Sequence, residues 1–157
     1  MNLSLLMTLV VVFGLLVGSF LTVVVDRVPR GGNVNHPPST CGNCGLPLGP
    51  LDLVPVVSWV ALRGKCRRCR EPIGVEPIVI ELANVAIWVL FTLRFYDDQL
   101  EVLPAFLIFG SVLVAQSWID IREQRLPREI TFTGMALGGV ALAIAAVALD
   151  EPERIWM

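Results

Sequence analysis

Leu3 to Val25 reads LSLLMTLVVVFGLLVGSFLTVVV. The run carries no charge, and only Gly14, Gly18 and the small hydroxyl residues Ser4, Thr8, Ser19 and Thr22 interrupt it. A helix rises about 1.5 Å per residue, so this stretch is long enough to cross a hydrocarbon core of roughly 30 Å. A cleaved export signal fits poorly. No Lys or Arg precedes the run, the apolar part is too long, and no small-residue cleavage site follows it.

Outward from this run the same material recurs. Apolar stretches occupy Ile78 to about Leu93, Val102 to Ile119 and Ile130 to Leu149, the last rich in Gly and Ala. Small residues suit close helix contact in lipid. Of the 157 residues 55% are hydrophobic, against roughly 45–50% in a soluble domain. Lipid offers no partners to backbone amides, so the runs must be helical. The expected fold is an all-α polytopic membrane protein with about four transmembrane helices. A net charge of −2 gives no reason to expect nucleic acid as a partner. No sequence repeat stands out.

Residues 26 to 77 differ from the rest. They hold all four cysteines, eight of the eleven prolines, and Arg27, Arg30, Arg63, Lys65, Arg67, Arg68 and Arg70. Within them Leu51 to Leu62, with Trp59, reads as a small apolar cover packed on the cysteine site or the membrane surface. Arg122, Arg125 and Arg128 follow the third run. Between the second and third runs lie Asp97, Asp98 and Glu101, with Arg94 at the margin. Basic loops stay cytoplasmic. The expectation is a bacterial-type inner membrane, the N-terminus outside and the cysteine loop in the cytoplasm.

The cysteines form two pairs, Cys41-x2-Cys44 and Cys66-x2-Cys69. Such pairs form two knuckles that close a tetrahedral four-thiolate zinc site. Gly42 and Gly45 would supply the tight turn of the first knuckle. The flanking Lys65, Arg67, Arg68 and Arg70 favour thiolates. Two disulfides are the alternative, but a reducing cytoplasm disfavours them. Four thiolates leave no open position for water, so the zinc is expected to be structural. His36, the only histidine, reads as a solvated loop residue.

Three carboxylates fall at one expected membrane level: Asp26, Glu81 and Asp120. Ionisable groups at the ends of spans are costly and often functional. Each also has a plain reading. Asp26 is expected to pair with Arg27. Glu81, in the first turn of the second span, would complement the helix dipole. Asp120, at the end of the third, would be an interfacial residue beside Arg122. An acid protease needs two carboxylates that share a proton, one as base on water and one as acid toward the peptide. Spacing alone leaves the functional and plain readings of Glu81 and Asp120 open.

Several blocks resemble the prepilin peptidases, or type IV leader peptidases. They are Gly18-Ser19-Phe20-Leu21 with Arg27-Val28-Pro29, Cys41-Gly42-Asn43-Cys44-Gly45, Pro55-Val56-Val57-Ser58-Trp59, and Leu62-Arg63-Gly64-Lys65-Cys66-Arg67-Arg68-Cys69. Pro77-Ile78-Val79-Ile80-Glu81-Leu82 and Ile119-Asp120 with Leu126-Pro127 continue the match, which covers about residues 14 to 135.

The resemblance implies a membrane aspartic endopeptidase. Such enzymes remove the leaders of type IV prepilins or type II secretion pseudopilins at the cytoplasmic face. Many also methylate the new N-terminus with S-adenosylmethionine. Asp120 matches the first catalytic aspartate, and Cys41, Cys44, Cys66 and Cys69 match the zinc loop linked to methyl transfer. The division implied is residues 1–26 as the first transmembrane helix and 27–77 as a cytoplasmic zinc-binding domain. Residues 78–157 would be three further helices, the N-terminal part of the peptidase domain.

The family's second aspartate lies in a Gly-x-Gly-Asp block, which this sequence does not contain; Asp150 has no glycines around it. The chain is thus expected to be the N-terminal part of such an enzyme. Alternatives are a membrane methyltransferase or prepilin-binding module without protease activity, a symmetric dimer pairing two copies of Asp120, and a purely structural membrane protein. The sequence assigns no oligomeric state.

Overall fold

The computed structural model describes residues 2–97, 99–124 and 126–149. Asp98, Arg125 and the tail from Asp150, named above, lie outside the described residues. Five helices follow one another: α1 (Leu3–Arg27), α2 (Val57–Ala61), α3 (Glu76–Phe95), α4 (Leu103–Glu123) and α5 (Arg128–Leu149). All but the short α2 are long and apolar enough to cross a membrane. The protein is a multi-pass membrane protein with an all-helical fold. Among the described residues the only β pairings are two isolated bridges, Thr40 with Pro47 and Lys65 with Pro72.

Each apolar run becomes a helix, but the helices begin or end beyond the runs. α3 starts at Glu76 rather than Ile78 because Pro77 sits in its first turn. There the missing N–H is no loss and the fixed φ suits the helix. Glu81 therefore lies in the second turn, not the first as expected. α4 continues past Ile119 to Glu123 and stops at Gln124, whose left-handed conformation lets its N–H reach the Asp120 carbonyl at 2.9 Å. Asp120 is thus in the last turn of α4. Val28–Arg30 tightens into a 3-10 turn after α1, and Gly31 at φ 68° ends it.

α1, α3 and α4 share the core. Leu21 and Val25 of α1, Ile80 of α3, and Val114, Ala115 and Ile119 of α4 form one buried cluster. Leu6 and Val10 pack with Trp88 toward the other end. α1 and α3 approach most closely at Gly18, where an added Cβ would stand 2.8 Å from the Glu81 Cα. Any side chain at Gly18 would push the two backbones apart.

A polar chain crosses this core. Asn84 Nδ2 donates to the Gly14 carbonyl at 2.8 Å, and the Ser111 hydroxyl lies 2.9 Å from Asn84 Oδ1. Trp88 Nε1 donates to Ser111 Oγ at 2.9 Å. Asn84 is fully buried. In lipid an unpaired amide would be costly, so this chain pins α1, α3 and α4 in register. α5 packs mainly on α4, through Gly134 against Val112 and a 2.6 Å bond from Gln116 to Thr131, and also touches the 3-10 turn Leu100–Val102. Its opposite face leaves Phe132, Met135, Val140, Ile144 and Val147 bare, as a lipid-facing helix does.

Candidate metal centre and the cleft beside it

Residues 31 to 75 form a lobe at one end of the bundle, where α1 ends, α3 begins and α4 ends. Its two cysteine pairs fold alike. Cys41 N–H donates to the Leu46 carbonyl and Gly45 N–H to the Cys41 carbonyl, both at 2.9 Å. In the second knuckle Cys66 N–H donates to Glu71 O at 2.9 Å and Arg70 N–H to Cys66 O at 3.0 Å. The β bridges close both turns at Pro47 and Pro72. This is a structural repeat that the sequence reading did not find. Only the cysteines, the proline three residues past each pair and the glycine two residues further on (Gly49 and Gly74) are identical, too few to stand out as a repeat.

The fifth residue of each knuckle is left-handed, Gly45 at φ 67° and Arg70 at φ 61°. Gly45 thus fills the turning position expected of it. Gly42 does not: its φ is ordinary and the space around it is open.

The knuckles bring all four sulfurs within 4.8 Å of one another, with Cys41 and Cys69 3.7 Å apart. A tetrahedral site with metal–sulfur bonds of about 2.3 Å has sulfur–sulfur edges of about 3.8 Å. The arrangement therefore fits a four-thiolate metal ion, and the four cysteines are not bonded to one another as disulfides.

The backbone tunes these thiols unequally. The amides of Cys44 and Asn43 lower Cys41 to about 6. The amide of Glu71 lowers Cys69. At Cys44 the Leu46 amide favours the thiolate, yet burial and the adjacent sulfurs of Cys41 and Cys69 outweigh it and raise the group to about 11. A cation placed among the sulfurs would remove that last penalty, because it replaces repulsion between thiolates with attraction.

The Leu51 to Leu62 segment does cover the second knuckle. Trp59 lies over Gly64, where an added Cβ would come within 2.9 Å of its ring, and its Nε1 donates to the Gly74 carbonyl at 3.2 Å. Arg67 Nε donates to Asp52 Oδ1 at 2.6 Å and ties the 3-10 turn Pro50–Asp52 to the same knuckle. The Arg67 guanidinium holds the Asp52 carboxyl below its usual range.

Two carboxylates of α3 lie where the lobe meets the bundle. Glu81 Oε2 accepts the Val56 N–H at 2.7 Å. Val56 stands at φ 58°, ψ −50°, and the Val57 N–H donates back to the Pro55 carbonyl. This is a γ-turn of the rare positive-φ hand, strained for a β-branched residue. On α3 Glu76 Oε1 accepts both Trp118 Nε1 at 2.7 Å and Arg122 Nη1 at 2.6 Å from α4. Between lobe and helices lies a cleft of about 660 Å³.

Two sequence expectations change here. Asp26 pairs with Arg30 at 2.6 Å, not with Arg27. One helical turn separates Asp26 from Arg30, whereas Arg27 points away to the carbonyls of Asn33 and Val34. Glu81 bonds a distant loop rather than capping its own helix. Asp120 is exposed, and its neighbour Arg122 is engaged by Glu76. Asp120 continues the stripe of Val112 and Gln116 on which α5 packs. The structure does not bring Asp120, Glu81 and Asp26 together as one cluster, and His36 is exposed. Glu76 was not singled out from sequence, although an acidic residue followed by Pro before an apolar run is a helix-start signal.

Residues 12–95, from the middle of α1 through the lobe to the end of α3, match the family model of the Bacterial Peptidase A24 N-terminal domain. The chain belongs to this family. A protein of Myxococcus xanthus named Prepilin leader peptidase/N-methyltransferase is 41% identical over 132 residues, covering 84% of this chain and 38% of the relative. Proteins of the same name from Dichelobacter nodosus and Bacillus subtilis are 31% and 30% identical. These matches cover 82% and 96% of this chain, and 54% and 57% of those relatives. The chain thus spans about half the length of the curated relatives it matches, or less. No solved structure matches it.

Proposed function

We propose that this chain is the amino-terminal segment of a prepilin leader peptidase. The enzyme would be a membrane aspartic endopeptidase that cuts type IV prepilins or type II secretion pseudopilins at the cytoplasmic face of the inner membrane. The names of its relatives support this reading. One structural observation supports it most: the four-cysteine lobe and Asp120 occupy the same end of the bundle. Glu76, which opens α3 just after the lobe, bonds Trp118 and Arg122 on either side of Asp120 in sequence.

In this reading Asp120 is one member of a carboxylate pair, and residues outside this chain supply the other. Two carboxylates in contact cannot both ionise, so one stays protonated. The ionised member draws a proton from water, and the protonated one hydrogen-bonds the scissile carbonyl oxygen. A site at the membrane boundary suits a substrate whose apolar segment remains in the bilayer. Exposure of Asp120 at the end of α4 leaves it open to both.

The metal is zinc, held by Cys41, Cys44, Cys66 and Cys69. Its role is structural because four sulfurs complete its coordination. The basic loops support a cytoplasmic position for this end of the bundle, with the N-terminus outside. Methyl transfer to the new N-terminus would use S-adenosylmethionine, which supplies an electrophilic methyl group.

The test is Asp120→Asn in the full-length enzyme that contains this segment. Cleavage of a purified prepilin should be abolished while zinc content is unchanged. Retained cleavage would refute the assignment of Asp120.

A further inference from the structure

Glu81 has no place in the proteolytic scheme, yet it is the most deeply buried carboxylate described. It is 6% exposed and lies in the second turn of α3, about 7.5 Å into the helix. Its hydrogen-bond donors are neutral, the Val56 amide at 2.7 Å and the Ser19 hydroxyl. Among the described residues the ion pairs are Arg30 with Asp26, Arg67 with Asp52 and Arg122 with Glu76, and none includes Glu81. A carboxylate held this deep without a cation is costly at a membrane boundary.

Glu81 lines the cleft between the lobe and α1. At about 660 Å³ the cleft is within the range of small-ligand sites. None of the cations on its walls pairs with Glu81: Arg67 and Arg122 are held by Asp52 and Glu76, and Arg27 donates to the carbonyls of Asn33 and Val34. The other walls mix apolar side chains, among them Leu16, Phe20 and Val23 of α1, with hydroxyls such as Ser19 and Thr22. Leu16 and Phe20 are half exposed on the helix surface, so the cleft opens toward the lipid-facing side of α1. Beside Glu81 the backbone is strained at Val56, and such strain collects at functional sites. The cleft thus offers one carboxyl group with no cation partner beside an apolar stretch of α1.

We propose that this cleft is a second subsite in which Glu81 receives the free α-ammonium of an apolar N-terminal segment that enters from the bilayer. This assignment rests on the leader-peptidase reading, under which the segment is the mature end left after the leader is cut. Charge complementarity selects the occupant. An α-ammonium supplies the missing cation, and an apolar helix start covers Leu16, Phe20 and Val23. The site would hold the new amino terminus at a defined depth, separate from Asp120.

The experiment uses the full-length enzyme in lipid nanodiscs. The probes are a synthetic apolar peptide with a free amino terminus and its N-acetylated twin. The wild type should bind the free form about tenfold more tightly. Glu81→Gln keeps an acceptor for the Val56 amide but removes the charge, so it should bind both peptides equally with zinc unchanged. A wild type that does not discriminate, or a Glu81→Gln protein that still does, would overturn the proposal. Zero-length carbodiimide coupling of the free peptide to the wild type needs no variant. It should yield an amide at Glu81, and coupling confined to Asp26, Asp52 or Glu123 would overturn the proposal. Leader cleavage is measured in parallel. A wild type that cleaves prepilin but does not discriminate between the peptides refutes the subsite alone, whereas a wild type that does not cleave prepilin refutes the parent reading.

Discussion

From Gly31 to Val75 only Pro55, Gly64 and Cys66 are buried, whereas α3 alone buries Ile80, Glu81, Asn84, Trp88, Thr92 and Phe95. A 45-residue segment that hides so little cannot offset its own conformational entropy by hydrophobic burial. Its order comes from four sulfurs, two repeated turns and the Arg67–Asp52 pair. The helices have the opposite problem. Lipid surrounds them, so apolar contact contributes little to their association, and close backbone approach with internal hydrogen bonds decides their packing. On the proposed zinc reading the lobe depends on a metal, and the bundle depends on shape. The two are joined by the bond from the Val56 amide to Glu81 and by Arg27 of α1, which donates to the carbonyls of Asn33 and Val34.

That contrast can be broken region by region. The largest effect is expected from Cys41→Ser combined with Cys66→Ser. Structural zinc binding is worth on the order of 10 kcal/mol, so the lobe should lose its fold while the helices persist. Metal content should fall to zero, and far-ultraviolet circular dichroism in micelles should keep most of its helical signal.

Gly18→Ala is the reciprocal change. The new methyl would meet the α3 backbone, which has no side chain to swing aside, at a cost of about 1–3 kcal/mol. Thermal unfolding in micelles should shift down while zinc stays bound. Unchanged melting would mean that α1 and α3 are not held at this contact.

A smaller effect of opposite sign is expected at Arg70. It occupies the left-handed position that Gly45 fills in the sister knuckle, at about 1 kcal/mol of strain for a side-chain-bearing residue. Arg70→Gly should make the metal harder to strip, read as a higher chelator concentration at half release.

The sequence made the bundle legible because lipid imposes a simple rule: long uncharged runs must be helices. It misjudged helix ends by a few residues, since Pro77 reads as a breaker until it is seen in a first turn. The cysteine pairs were legible because metal chemistry fixes their spacing. What lay hidden was every contact between distant segments. Glu81 binds a backbone amide 25 residues away, a donor that no side-chain pattern reveals. Asn84 and Ser111 are polar residues within apolar runs, but nothing in the sequence says which helices they join. Asp26 was assigned to its chain neighbour when helical geometry favours Arg30.

The dependence of the lobe on metal, independent of the bundle, is tested most directly by hydrogen exchange. The protein would be held in nanodiscs and followed by mass spectrometry before and after a thiol-competing chelator. The expected result is that amides of residues 39–73 lose protection on metal removal while those of α1, α3 and α4 keep it. Protection that survives in the lobe, or that collapses in lobe and helices together, would contradict the account.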